Sequence, residues 1–203
     1  MRTEGQIFGY SYGGKEVGRS PITLEELKAL QDTAGFTEED EHYLQLAGEV
    51  LRDQTTQIVE CWRNQIIAGI PNLARHSRTL DGQALPAYLG NSSRRFEQWI
   101  LDTCLKPYDQ QWLDYQHEIA LRHTHARKNQ VDTVSSTTFV PYRDIVAFVA
   151  VMNRTIEPYL AAKGNTPEEV QRMHQAWCKS IQLQVALWGK AYMDQASTGL
   201  NQW

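Results

Sequence analysis

Thr166-Pro-Glu-Glu-Val-Gln-Arg-Met-His-Gln-Ala-Trp-Cys-Lys-Ser-Ile-Gln-Leu-Gln-Val-Ala-Leu-Trp188 is the least ambiguous stretch of the chain. Thr166 is an N-cap, Pro167 suits the first helical position, and Glu169 three residues on completes a capping box. Val170, Met173, Trp177, Ile181, Gln184 and Trp188 then recur on one face with a period near 3.6, the pattern of a helix packed on a core. Gly164, just upstream, is a natural stop for the helix before it. That earlier helix opens near Pro141 and carries Ile145, Phe148, Val149, Met152, Ile156 and Leu160 on its buried face. A segment from about Leu85 to Thr103 aligns Leu89, Ser92, Phe96, Trp99 and Ile100. Asp109 caps a helix expected to run to about Lys128.

Nearer the N-terminus, Thr23-Leu-Glu-Glu26 is a capping box for a short helix through about Gln31. Thr37-Glu-Glu-Asp40 opens another with an acidic first turn, which suits the helix dipole. The apolar stripe of that second helix continues or bends into Ile58, Trp62 and Ile66. Pro71 and Asp81-Gly82 interrupt it, so loops are expected near 70–84 and 129–140. Residues 1–20 contain Gly5, Gly9, Gly13, Gly14 and Gly18 around Phe8, Tyr10 and Tyr12. That glycine density breaks regular structure while the aromatics still have area to bury, so an irregular arm lying on the body is expected. No segment alternates with period two. The reading is all-α, with seven or eight helices of unequal length and two real loops. Such a chain fits a globin-like pile better than an up-down bundle.

A chain of 203 residues is long enough to bury roughly 70% of its unfolded surface, so it needs no disulfide staple. A net charge of −4 excludes a generally basic surface, and no nucleic-acid partner is expected. The longest apolar run, Ile145 to Met152, is far short of the ~20 residues that span a bilayer, so no membrane partner is expected. The N-terminus lacks an apolar signal core. Cys61, Cys104 and Cys178 are too few and too far apart for a disulfide framework or a Cys-x-x-Cys metal site. A cytoplasmic location follows as the expectation.

The histidines are the first candidates for chemistry. Trp112, Leu113, Gln116, Ile119 and Ala120 form a stripe whose next position is His123. Such a histidine is either a core residue satisfied by a backbone carbonyl or a ligand to a metal or haem iron. His117 and His125 lie off the stripe. Glu39-x-x-His42 stands alone, where a di-iron bundle needs two such pairs and two further glutamates. There is no Gly-x-Ser-x-Gly elbow, and the N-terminal glycines lack the Lys-Ser/Thr ending of a phosphate loop.

The run Tyr108-Asp-Gln-Gln-Trp-Leu-Asp-Tyr-Gln-His-Glu-Ile-Ala-Leu-Arg-His123 resembles the protoglobin family. So do Trp99–Thr103, Gly164–Glu169, Gln175–Trp177, Leu183–Trp188, Gly9–Gly13 and Ala47–Leu51, which extends the similarity from about Phe8 to Trp188. The resemblance implies one globin domain over 1–203, with an additional N-terminal helix and the extension 1–20. It implies a bound haem b (iron protoporphyrin IX), His123 as proximal iron ligand, and Trp62 and Phe96 as distal pocket residues. One departure stands out: the family pattern at Trp62 is Trp-Tyr, and this chain has Arg63. The aromatic pair that usually follows the loop leucine is also replaced, in Leu73-Ala74-Arg75-His76. Arg63 therefore either turns to a propionate, a distal anion or water, or snorkels to solvent on a packed stem.

The function so implied is binding of O2, CO and NO at an open haem position. Two alternatives come with it. One is a gas sensor read by a separate partner. The other is a haem enzyme, peroxidase-like or NO-detoxifying, that needs an external donor. The chain carries no motif of a dedicated enzyme, and a homodimer is compatible with the family.

Overall fold

The computed structural model describes residues 6–199, so Met1–Gly5 of the expected arm and 200–203 at the other end of the expected domain lie outside the described residues. Among the described residues eight α-helices follow one another: α1 (Leu24–Ala34), α2 (Glu38–Leu51), α3 (Thr55–Glu60), α4 (Pro71–Ala74), α5 (Pro86–Leu105), α6 (Gln110–Leu121), α7 (Tyr142–Leu160) and α8 (Pro167–Ser197). No β-strand occurs among the described residues; the nearest thing is an isolated bridge between Arg78 and Ala84. The fold is all-α, as the periodicity predicts.

The caps form where the sequence places them. Thr23 accepts from the Glu26 amide at 3.1 Å while Glu26 returns to the Thr23 amide at 2.8 Å, and Thr166 and Glu169 repeat the exchange at the head of α8. Gly164 takes the left-handed conformation that ends the preceding turn, at φ 76°. Pro141 precedes α7 as its cap rather than standing inside it.

α8 is the central element. It packs on α1, α2, α5, α6 and α7, while α5 also packs on α2 and α3. Trp62, Ile58, Leu51, Ile156, Leu160, Met173 and Trp177 are fully enclosed in the main core. Leu27, Trp112, Leu113 and Leu187 form a smaller cluster beneath α1. α2 and α5 cross closely enough that a Cβ at Gly48 would stand 2.4 Å from Leu105 Cδ2, so a glycine inside a helix is required there. α7 is, by length and composition alone, apolar enough to cross a bilayer, and here it packs against α2 and α8.

Two departures from the sequence reading shape the site. The first is the segment after α3. Cys61–Ile66 is a π-helix, a widened turn that the 3.6-residue pattern does not anticipate. The second is the end of α6, expected near Lys128 and found at Leu121. There the Thr124 hydroxyl donates to the Leu121 carbonyl at 2.9 Å, and the Val140 amide takes the His123 carbonyl at 2.8 Å. Side-chain and long-range partners for these carbonyls replace the helical ladder, and residues 122–133 continue as turns. The expected 70–84 loop also holds structure of its own, α4 and a 3-10 turn at Arg75–Ser77.

Residues 6–22 carry no helix and lie against α5 and α6. The Tyr10 hydroxyl donates to Asp102 at 2.9 Å, and the Ser20 amide donates to Asp114 at 2.8 Å. Arg95 donates to the Phe8 carbonyl at 2.9 Å, and Arg122 to the Gly9 carbonyl at 2.6 Å and the Ser11 hydroxyl at 2.8 Å. Gly9 itself is left-handed (φ 74°), and a Cβ there would meet Val131 at 2.4 Å.

Candidate functional site

A cavity opens between the π-helical segment, α5, the end of α6, the 122–132 turns, α7 and α8. Its volume is about 280 Å³, at the small end of ordinary small-ligand pockets, which run roughly 300–1,000 Å³. Its walls are mixed. Ile67, Phe96, Trp99, Phe148, Met152 and Trp188 supply an apolar interior. The polar lining contains five cationic side chains (Arg63, Arg95, Arg122, Arg127, Lys128) and only two carboxylates, Asp132 and Asp144. A protein of net charge −4 thus encloses a positive cavity.

His123 stands in the turn just past α6. Its Nδ1 lies 2.8 Å from the Ile119 carbonyl. A carbonyl oxygen only accepts, so Nδ1 carries the proton and Nε2 keeps a lone pair. Burial is the main force on the ring and pushes its pKa down to about 4; the positive charges of Lys128 and Arg63 add to this, and the Ile119 bond opposes it. The imidazole is therefore neutral at ordinary pH. Trp188 stacks on it, with centroids 6.0 Å apart and planes inclined by 16°. The Trp188 indole N–H is itself held by Gln116 at 2.9 Å. Neutral imidazole, fixed tautomer and a packed ring are the properties of a prepared metal ligand.

The other predicted residues divide. Phe96 lines the cavity. Trp62 does not: it is fully buried one layer behind, its ring 5.1 Å from that of Phe96 and its N–H donating to the Thr155 hydroxyl at 2.7 Å. Of the two readings of Arg63, the contacts favour the one that turns it into the cavity, and the residue as a whole stays partly exposed. Its side chain lines the cavity, Nη2 donates to Ser92 Oγ at 3.1 Å, and Cζ lies 5.5 Å from the Phe96 ring centre. Its Nε is buried with no partner among the described residues, and burial lowers its affinity for a proton.

His76 emerges as a cavity residue that periodicity could not flag, since it sits in a 3-10 turn rather than on a helical stripe. It is only 6% exposed. Nδ1 lies 2.7 Å from the Thr137 hydroxyl, while Nε2 is buried, makes no hydrogen bond, and stands 3.7 Å from Asp144. Burial, followed by the charges of Arg75 and Lys128, moves its pKa down to about 4. The Lys128 ammonium donates to the His76 carbonyl at 3.3 Å and to Asn129 at 2.8 Å, and burial brings its pKa down to about 8. His117 and His125 are not part of the lining. No cluster of three protein donors that could hold a metal ion by itself occurs among the described residues. A metal carried inside a larger cofactor and touched by one histidine fits this donor set.

The sequence model of the Protoglobin family matches residues 23–198. No curated protein matches the sequence. Among solved structures, the fold is similar to the globin domain of the Geobacter sulfurreducens globin-coupled sensor, with a TM-score of 0.61 at 17% identity, covering 84% of this chain and 98% of that one.

Proposed function

The chain belongs to the protoglobin family, which carries a haem-globin, gas-binding role, and from that premise we propose that its cavity holds haem b with His123 Nε2 as the protein ligand to iron. When bound, the haem would supply an iron with an open coordination position for O2, CO or NO. The observation that carries the reading is the commitment of His123 Nδ1 to the Ile119 carbonyl, which leaves one lone pair on a neutral, packed ring beside the cavity.

The chain's other residues have separable tasks. Gln116 fixes Trp188, and Trp188 fixes the plane of His123. Phe96, Ile67, Phe148 and Met152 exclude water from the interior. Lys128, which forms no ion pair among the described residues, offers positive charge to the carboxylates of the porphyrin, while Arg95, Arg122 and Arg127 on the same margin share theirs with Asp132 and Glu118. Arg95 and Arg122 also hold the carbonyls of Phe8 and Gly9, so the arm covers the same margin. Trp62 supports Phe96 from behind instead of touching a ligand.

Purified protein supplied with haem is expected to show a Soret band that shifts on reduction and addition of CO. His123→Ala is expected to lose both the band and the shift, while His117→Ala and His125→Ala keep them. An unchanged CO spectrum in His123→Ala would defeat the assignment.

A further inference from the structure

We propose that the Arg63 side of the cavity is a subsite for small inorganic anions of the nitrite and azide class. This rests on the haem reading above and adds a ligand class to it. Arg63 is a permanent charge with no carboxylate at ion-pair distance among the described residues; its one hydrogen bond goes to the Ser92 hydroxyl. The other arginines lining the cavity are committed. Arg95 pairs with Asp132 at 2.6 Å, and Arg122 and Arg127 both pair with Glu118. The two lining carboxylates are committed as well, Asp132 to Arg95 and Asp144 to Asn72 at 2.7 Å. The protein therefore offers Arg63 no counter-charge of its own.

A buried guanidinium without an anion is costly, and such a group is retained where an external anion completes it. Two buried nitrogens on the cavity wall lack hydrogen-bond partners, Arg63 Nε and His76 Nε2. The first is a fixed donor. Phe96 and Ile67 beside it keep the local dielectric low, which strengthens a charged hydrogen bond. A weakly polar gas such as CO makes little use of a full positive charge. A triatomic anion with acceptors at both ends uses both the charge and the free N–H. The porphyrin carboxylates are the competing source of negative charge. Arg122, Arg127 and Lys128 lie in the 122–132 turns, and Arg95 is tied to Asp132 there; Arg63 is carried instead by the π-helical segment next to Phe96, within electrostatic reach of Arg95 and Lys128.

The test is a spectral titration of the ferric protein with azide and with nitrite, in parent, Arg63→Leu, Arg63→Lys and the surface control Arg172→Leu. CO affinity of the ferrous protein and the rate of haem loss to an acceptor are read alongside. Arg63→Leu is expected to weaken both anions by about tenfold or more while CO affinity moves by less than about threefold. Arg63→Lys keeps most of the anion affinity, and Arg172→Leu matches the parent. Azide and nitrite affinities of Arg63→Leu within about twofold of the parent would overturn the proposal. Faster haem loss with unchanged anion affinity would overturn it too, by assigning Arg63 to a porphyrin carboxylate. If the parent shows no Soret band, the haem reading fails by itself. The anion subsite is then judged on the haem-free protein by the melting shift with nitrite: a shift abolished in Arg63→Leu supports it, and no shift in the parent overturns it.

Discussion

The two sides of the cavity are built on opposite rules. On the His123 side every polar group that positions the ring is satisfied. Nδ1 donates to Ile119, the Trp188 N–H to Gln116, and the Trp99 N–H to Gln184, whose own amide reaches Thr103 and Ser180. Elsewhere on the cavity wall, Arg63 Nε and His76 Nε2 are buried without a hydrogen-bond partner among the described residues, although Asp144 stands 3.7 Å from His76. A satisfied network specifies one conformation and is rigid, while an unsatisfied group raises the energy of the empty state and lowers it again when a ligand arrives. Fixed architecture and ligand recognition have thus been separated onto different walls of one cavity.

Several measurements would break that contrast or sharpen it. The largest effect is expected at His123, where the alanine variant removes the proposed protein donor to iron. Haem content read by absorbance falls to background while the helical circular dichroism of the haem-free protein stays. Next is Trp62. Because it backs Phe96 instead of lining the cavity, Trp62→Ala costs about 3–5 kcal/mol in urea unfolding. Trp62→Phe, which keeps most of the ring volume, leaves CO rebinding nearly unchanged. Phe96→Leu, on the wall itself, changes rebinding more than Trp62→Phe does. Equal kinetic effects would place both rings on the ligand's path.

The Arg63 side predicts a gain where the His123 side predicts losses. In haem-free protein without added anion, Arg63→Leu removes a buried, unpaired charge and stabilises the fold by about 1–3 kcal/mol. Arg95→Leu, which strips Asp132 of its partner, destabilises it. A loss of stability in Arg63→Leu would mean that Arg63 has a structural partner after all. The smallest effect concerns pH. His76 titrates near 4 when folded against an ordinary 6.5. Between those values the unfolded chain binds a proton that the folded one refuses, so stability falls as pH drops through that window and levels off below it. His76→Gln is expected to flatten this slope, read from urea midpoints between pH 7 and 4.

Much of this was legible in order along the chain. The capping boxes at Thr23 and Thr166, the stop at Gly164 and the stripes of α5, α7 and α8 depend on neighbours three or four residues apart, and local interactions of that kind are written directly in sequence. The stripe of α6 likewise pointed to His123, and the turn earlier in the helix supplied its acceptor at Ile119. The same reasoning overran the end of α6, because the Val140 amide that takes the His123 carbonyl comes from 17 positions away. The pairing of Trp62 with Phe96 came from the family resemblance instead, and on the π-helical turn at Cys61–Ile66 Trp62 packs behind Phe96.

The sequence by itself determined the all-α class, the helix starts, the buried aromatic faces and the family membership, because periodicity and caps are local and the Leu-Arg-His run is distinctive. Only the tertiary structure decided which charges are spent and which remain. Arg63, Arg95, Arg122 and Arg127 are alike as letters. Glu118 meets Arg122 one helical turn away, Asp132 and Glu118 reach Arg95 and Arg127 through folding, and nothing on the described protein reaches Arg63 with a negative charge. Burial sets the cost of such a charge and three-dimensional neighbours set its compensation, and neither quantity is a property of the residue or of its place in the chain.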